Sequence, residues 1–199
     1  AVFIVFFIGI VLTAFRYFKF VSKTVYEESA SHLTEVFHQS NNVLNELANK
    51  NLTYLHMWGE YLKKVSDESE IRDYIDKAQE EAGFLYFYFL SADGNYKMLT
   101  GEAGYLGLQE NLEDKIAQGE DIITNAVVPG KPQMLVFASP QSHGSYQGFE
   151  YDAIAIAYEN ADIVDVLDIS AFNGNAKSYV VHPDGRVVID HSFEAWGTV

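Results

Sequence analysis

Six residues in the middle of the chain have the types that noncovalent recognition needs. Tyr86 and Tyr88 stand two apart in the apolar run Phe84 to Leu90, so a strand there would put both phenol rings on one face. Phe137, Tyr151 and Asp152 lie in later runs that could converge on that face, and Tyr105 sits in a glycine-rich loop. A buried hydroxyl or carboxylate must find a hydrogen-bond partner, and a small molecule can supply one. Aromatic walls with a few polar groups are the usual lining of such a pocket. Phe84, Phe87, Phe89 and Phe137 carry no polar atom and read first as core.

Covalent and metal chemistry find less support. No Gly-x-Ser-x-Gly elbow, His-Glu-x-x-His pair or phosphate-binding glycine loop occurs, and without cysteine there is no thiolate nucleophile, thiolate metal site or disulfide. His182, Asp190 and His191 could face one another across a hairpin, but three such groups near a turn read more simply as surface polarity than as zinc ligands. His32, His38 and His56 read as solvated. The residues imply no cofactor, no metal and no enzyme in this segment.

The charge balance narrows the partners. All 28 acidic residues follow Lys23, whereas Arg16, Lys19 and Lys23 belong to the 13 basic ones. A field of that sign repels phosphate backbones and excludes nucleic acid, leaving metabolites or cations as partners.

The element that would position this chemistry is a rod in the first third. Ala1 to Phe15 holds no charge, and its backbone polar groups could be satisfied in lipid only within a helix. Fifteen residues fall short of the roughly 30 Å hydrocarbon core, so the run reads as the C-terminal part of a membrane helix whose first residues are trimmed. Arg16, Tyr17, Phe18, Lys19, Phe20 and Lys23 then read as interfacial anchors; a signal peptide and a buried core helix are the rival readings. The basic cluster by itself favours a cytoplasmic flank, yet long acidic domains cross regardless of nearby charge, and the globular part is placed outside the cell.

From Leu33 to Val65 apolar residues recur at steps of four and three, with Ser40 and Asn51 as polar members of the seam. Such a helix, from Thr24 to Val65, would run about 60 Å, and its seam could join two copies or pack along its own domain. A second helix is expected over 66–81, capped by Asp67 or Ser69 and stopped by Gly83. Strands follow at Phe84 to Leu90 and Tyr96 to Thr100 around an Ala92-Asp93-Gly94-Asn95 turn. After a loop marked by Gly101, Gly104 and Gly107 come a helix over Asn111 to Gln118 and strands at Ile122 to Val128, Met134 to Ala138 and Tyr151 to Tyr158. The polar stretch Ser139 to Gly148 reads as a connection. Asn160 could open a helix ending before Asn173-Gly174-Asn175. A last hairpin, Ser178 to His182 and Val187 to Asp190 around Pro183-Asp184-Gly185, repeats the earlier one, VHPDGRV matching LSADGNY.

This order of pieces, with the stretch SYVVHPDGRVVIDHS, resembles the double Cache (PAS-like) extracytoplasmic sensor domains of bacterial transmembrane receptors, especially of histidine kinase or diguanylate cyclase type. The resemblance implies an α+β fold: a long N-terminal helix, then a PAS-like antiparallel sheet with flanking helices, and a truncated second module. Its boundaries would be 1–22 for a membrane helix, 23–82 for the stalk and connecting helices, 83–172 for the membrane-distal module and 173–199 for the start of the membrane-proximal one. It implies capture of a small molecule by the distal module and relay down the long helix to a cytoplasmic output domain. The rival from another class is a cell-surface scaffold or adhesion domain, which would need no pocket.

Overall fold

The computed structural model describes residues 2–108, 111–128, 132–167, 179–181 and 187–190. The chain divides into two units, Ala1–Asn42 and Val43–Val199. Helix α1, Val2–Leu62, supplies the whole of the first and opens the second. In the first unit Phe7, Phe15, Phe18, Phe20 and Phe37 are exposed, and the contacts found there are local, as in Thr13 Oγ1 donating to Gly9 O and Lys23 pairing with Glu27. Among the described residues, no helix is long and apolar enough to cross a membrane.

In the second unit the heptad pattern becomes a core-facing stripe: Asn51, Leu55, Trp58 and Leu62 are buried, and Leu44, Leu47 and Leu52 flank them. Helix α2, Glu68–Ala82, begins where Asp67 Oδ1 accepts from the amides of Ser69 and Glu70, satisfying two donors that a first helical turn leaves unpaired. The Ser69 hydroxyl, which donates to the same oxygen at 2.6 Å, and then the two amides hold the Asp67 carboxyl below its ordinary range. Gly83 ends the helix at φ 76°, in the left-handed region that glycine occupies without strain.

Strands β1 (Tyr86–Leu90), β2 (Asn95–Met98), β3 (Ala103–Tyr105), β4 (Gly107–Leu108), β5 (Ile122–Val127), β6 (Met134–Tyr146) and β7 (Phe149–Glu159) form one antiparallel sheet in the order β3-β2-β1-β7-β6-β5-β4. Helix α3, Leu112–Gln118, links β4 to β5, and α4, Asn160–Leu167, follows β7. A separate two-stranded sheet pairs β8 (Tyr179–Val181) with β9 (Val187–Asp190). The turn at 183–185, the segment 129–131, the loop at 173–175, His182 and His191 lie outside the described residues.

Period-two alternation sorts the central strands into two apolar layers. Phe87 and Phe89 of β1, Leu135 and Phe137 of β6, and Ile154, Ile156 and Tyr158 of β7 pack against α1 and α2. Trp58 of α1 meets Phe84 and Phe87 at ring separations of 5.4 and 6.2 Å, and Arg72 of α2 donates to Leu99 O. On the opposite face, Tyr88, Leu90, Tyr96, Met134, Val136, Ala138, Ala153, Ala155 and Ala157 form a second cluster with Leu106 and Leu112. His56 is exposed, as expected, and also bonds Asp121 at 2.9 Å, which fastens α1 to the chain entering β5.

The longest departure from the sequence expectation is β6. The polar stretch after Ala138 continues the strand and turns directly into β7 through Gln147 and Gly148, both at positive φ, the backbone that a tight two-residue hairpin demands. Between Pro140 and Gly144 the register slips, and a Cβ at Gly144 would lie 2.4 Å from the ring of Tyr151. Only glycine admits that buried ring.

Candidate functional site

The face of the sheet turned away from α1 and α2 carries the hydroxyl-rich groups. Tyr86 and Tyr88 stand on it 5.9 Å apart, and the hairpin register sets Tyr96 opposite Leu90 and Met98 opposite Tyr88, so Tyr96 joins the row. The rings of Tyr88 and Tyr96 meet edge-on at 4.9 Å. Across β7 these side chains face alanine: Tyr86 pairs with Ala157, Tyr88 with Ala155 and Leu90 with Ala153. Bulk on one strand and short side chains on its neighbour give the face an uneven relief.

Tyr88 and Tyr96 of this row are buried and Tyr86 is half-buried. Tyr88 is fully buried, its hydroxyl donating only a long contact to Met134 Sδ at 3.8 Å; burial, then the neighbouring Tyr96, Tyr86 and Glu102, push its phenol well above the ordinary range. It stays a neutral donor at any physiological pH. Tyr96 donates to Glu102 Oε1 at 3.3 Å, which brings a carboxylate to the β2–β3 edge. Gly104 lets that contact form, since a Cβ there would sit 3.0 Å from the Tyr96 hydroxyl.

Of the six residues singled out by the sequence, the structure brings Tyr86 and Tyr88 together and separates the rest. Phe137 pairs with Ile156 under the helices, and Tyr151 packs with Phe89 at 4.9 Å in that same helix-side layer, so neither shares the face of Tyr86 and Tyr88. Tyr105 is 63% exposed on β3, with its ring edge over Gly94. Asp152 is half-buried at the sheet margin, where Oδ2 accepts from Ala92 N at 3.0 Å and Oδ1 accepts from His143 Nδ1 at 3.0 Å. Sequence reasoning missed Tyr96 and Glu102; the period of two carried across the Asp-Gly turn would have found Tyr96.

Asp152 belongs to a small ionic cluster. His143 Nε2 lies 2.9 Å from Glu150 while its Nδ1 meets Asp152, and the hydrogen bond to Asp152, helped by the charge of both carboxylates, raises the imidazole above its ordinary 6.5. A histidine raised on folding stabilises fully below its unfolded value and ceases to as pH rises through the folded one. Replacing His143 by glutamine is therefore expected to lower the midpoint of urea unfolding at about pH 6 and leave it unchanged near pH 9. Equal losses at both pH values would show that packing, not charge, is what the imidazole supplies.

The row offers aromatic faces, hydroxyl donors and one edge carboxylate, a set suited to binding rather than bond making. Among the described residues, no group of three His, Asp or Glu side chains could hold a metal ion. No family model matches the chain, and no curated protein matches it in sequence. Solved structures do share its fold. The ligand-binding domain of the Pseudomonas aeruginosa amino acid chemoreceptor PctC, in complex with GABA, aligns with TM-score 0.58 at 14% identity over 81% of this chain and 76% of that one. The sensory domain of the Campylobacter jejuni chemoreceptor Tlp3 with isoleucine bound aligns with TM-score 0.56 at 7% identity over 85% and 74%, and the same domain with L-valine at 0.55 and 9% over 85% and 74%. The chain thus shares the fold of these chemoreceptor sensory and ligand-binding domains, with the α+β order expected from the sequence.

Proposed function

We propose that this chain is the extracytoplasmic ligand-sensing part of a membrane-bound bacterial receptor. It would capture a small molecule on the tyrosine-lined face of the sheet and relay the bound state through α1 to a cytoplasmic output domain. The observation that carries the reading is the row Tyr86, Tyr88 and Tyr96 set against Ala153, Ala155 and Ala157 on the face opposite α1 and α2, where Leu106 and Leu112 close over it. The ligands of the structural neighbours, isoleucine, L-valine and GABA, give the size class: a compact metabolite with an apolar body and a polar head. Membrane attachment through residues 1–22, a homodimer along α1 and a histidine kinase or diguanylate cyclase output belong to the same proposal. Ligand binding would then act as a population shift between two settings of α1.

The test is a thermal-shift survey with amino acids, amines and small organic acids. A true ligand raises Tm progressively with concentration, as linkage requires. Tyr86→Phe and Tyr88→Phe keep the rings but remove the hydroxyls, and together they are expected to weaken that ligand by about tenfold or more, because each lost buried hydrogen bond is worth roughly 0.5–1.5 kcal/mol. A ligand whose shift survives both substitutions binds elsewhere and refutes this placement of the site.

A further inference from the structure

Opposite the sheet from that row, α1 and α2 enclose a cleft of about 190 Å³, lined by Tyr54, Met57 and Trp58 of α1 and by Tyr74, Lys77, Ala78, Glu81 and Ala82 of α2. The size is that of a small organic molecule, since an engineered cavity of about 150 Å³ takes up benzene. Three aromatic side chains line it, Tyr54 stacked on Trp58 at 5.5 Å and Tyr74 stacked on Tyr61 at 3.9 Å, and the ring faces that these stacks leave uncovered attract cations. The chain already shows this attraction: the Lys50 ammonium stands 5.7 Å from the centre of the Tyr54 ring.

The backbone points the same way. The α2 side of the cleft runs from Tyr74 to Ala82 and so reaches the last turn of the helix, where the carbonyl ends carry partial negative charge and no basic residue stands. Glu81 adds a full negative charge at the rim, within a chain of formal net charge −15. From this cleft we infer a second binding site, for a small arylalkyl ammonium compound whose flat body lies against the Tyr54–Trp58 stack and Tyr74 and whose cationic head meets Glu81. Lys77 is the one cation of the lining, and it selects against ligands larger in positive charge than Glu81 and the helix end can balance. The site stands whether or not the tyrosine-lined face takes a ligand.

Phenethylammonium is the probe, titrated into the whole chain and followed by calorimetry and by tryptophan fluorescence, because Trp58 forms one wall. Saturable binding with quenching or shift of the Trp58 signal is expected. Glu81→Gln should weaken it by about fivefold or more and Lys77→Gln should tighten it, since both side chains are exposed and neither is needed for folding. Ala78→Leu fills the cleft from α2 and should abolish binding with Tm retained. Tyr86→Phe with Tyr88→Phe should leave the titration unchanged, which separates this site from the sheet face. Absence of saturable binding, or binding indifferent to both Glu81→Gln and Ala78→Leu, overturns the inference.

Discussion

Replacing Phe89 by alanine is expected to destabilise the second unit by about 3–5 kcal/mol, the range found when a fully buried aromatic is cut back to a methyl group. The position warrants the upper part of that range. Phe89 has no exposed surface, stacks on Tyr146 at 4.3 Å and touches Tyr151 and Phe87 at 4.9 and 5.3 Å. It is the fourth of the five residues of β1 and is paired on both sides, with Lys97 of β2 and Ile154 of β7, so collapse of neighbours into the space would have to bend the sheet. Phe37→Ala, on an exposed stretch of α1, is the matched control and should stay within about 0.5 kcal/mol. Urea unfolding followed by circular dichroism separates the two. A loss under about 1.5 kcal/mol at Phe89 would mean that this layer repacks freely and that the aromatic spine is not what fixes the sheet.

The same spine explains what was legible beforehand. FLYFYFL names a strand covered on both sides because every second residue must face apolar neighbours, and Phe87 and Phe89 do so on one side while Tyr88 and Leu90 do so on the other. Caps and stops are equally local, so Asp67, Gly83, Asn111 and Gly119 mark helix ends in sequence and in space. Two features escaped for nonlocal reasons. The Ser, His and Gly residues of 139–148 carry no strand signal of their own and are held extended by pairing with β7. Ala103–Tyr105 and Gly107–Leu108 are too short and glycine-rich to announce themselves, and become strands only as borders of the sheet.

The site divides along the same line. Parity within one strand gave Tyr86 and Tyr88 their common face, but parity cannot say how separate strands are registered or which face the helices cover. Phe137 is placed by its pairing with Ile156, and Tyr151 by the slip between Pro140 and Gly144 that draws it onto Phe89. Neither is a property of the residue's own neighbours in sequence.

Asn51→Leu is expected to raise stability by about 1–2 kcal/mol, an unusual sign for a substitution at a site with no exposed surface. Asn51 lies on the face of α1 that packs on the sheet. Its Oδ1 accepts from the Tyr158 hydroxyl at 2.9 Å, while its Nδ2 finds no hydrogen-bond partner among the described residues. Leucine has the same branched outline, removes the stranded donor and is the better helix former. Tyr158 does not lose everything, because its hydroxyl also reaches Ala82 O at 3.3 Å. Tyr158→Phe alone should cost about 1–3 kcal/mol by removing the one hydroxyl hydrogen, which Asn51 Oδ1 accepts at 2.9 Å and Ala82 O shares at 3.3 Å, and far less once Asn51 is leucine, so the two changes form a non-additive cycle in urea unfolding. The pair is a polar latch in the seam of α1, and a seam short of its stability optimum is what the proposed resetting of α1 would draw on. If Asn51→Leu destabilises, or if the cycle is additive, the amide is satisfied in solution and the latch does not exist. If the cycle holds, ligand-induced change in the hydrogen exchange of α1 should shrink in Asn51→Leu while the ligand still binds, since the substitution favours one setting of the helix without touching the tyrosine row.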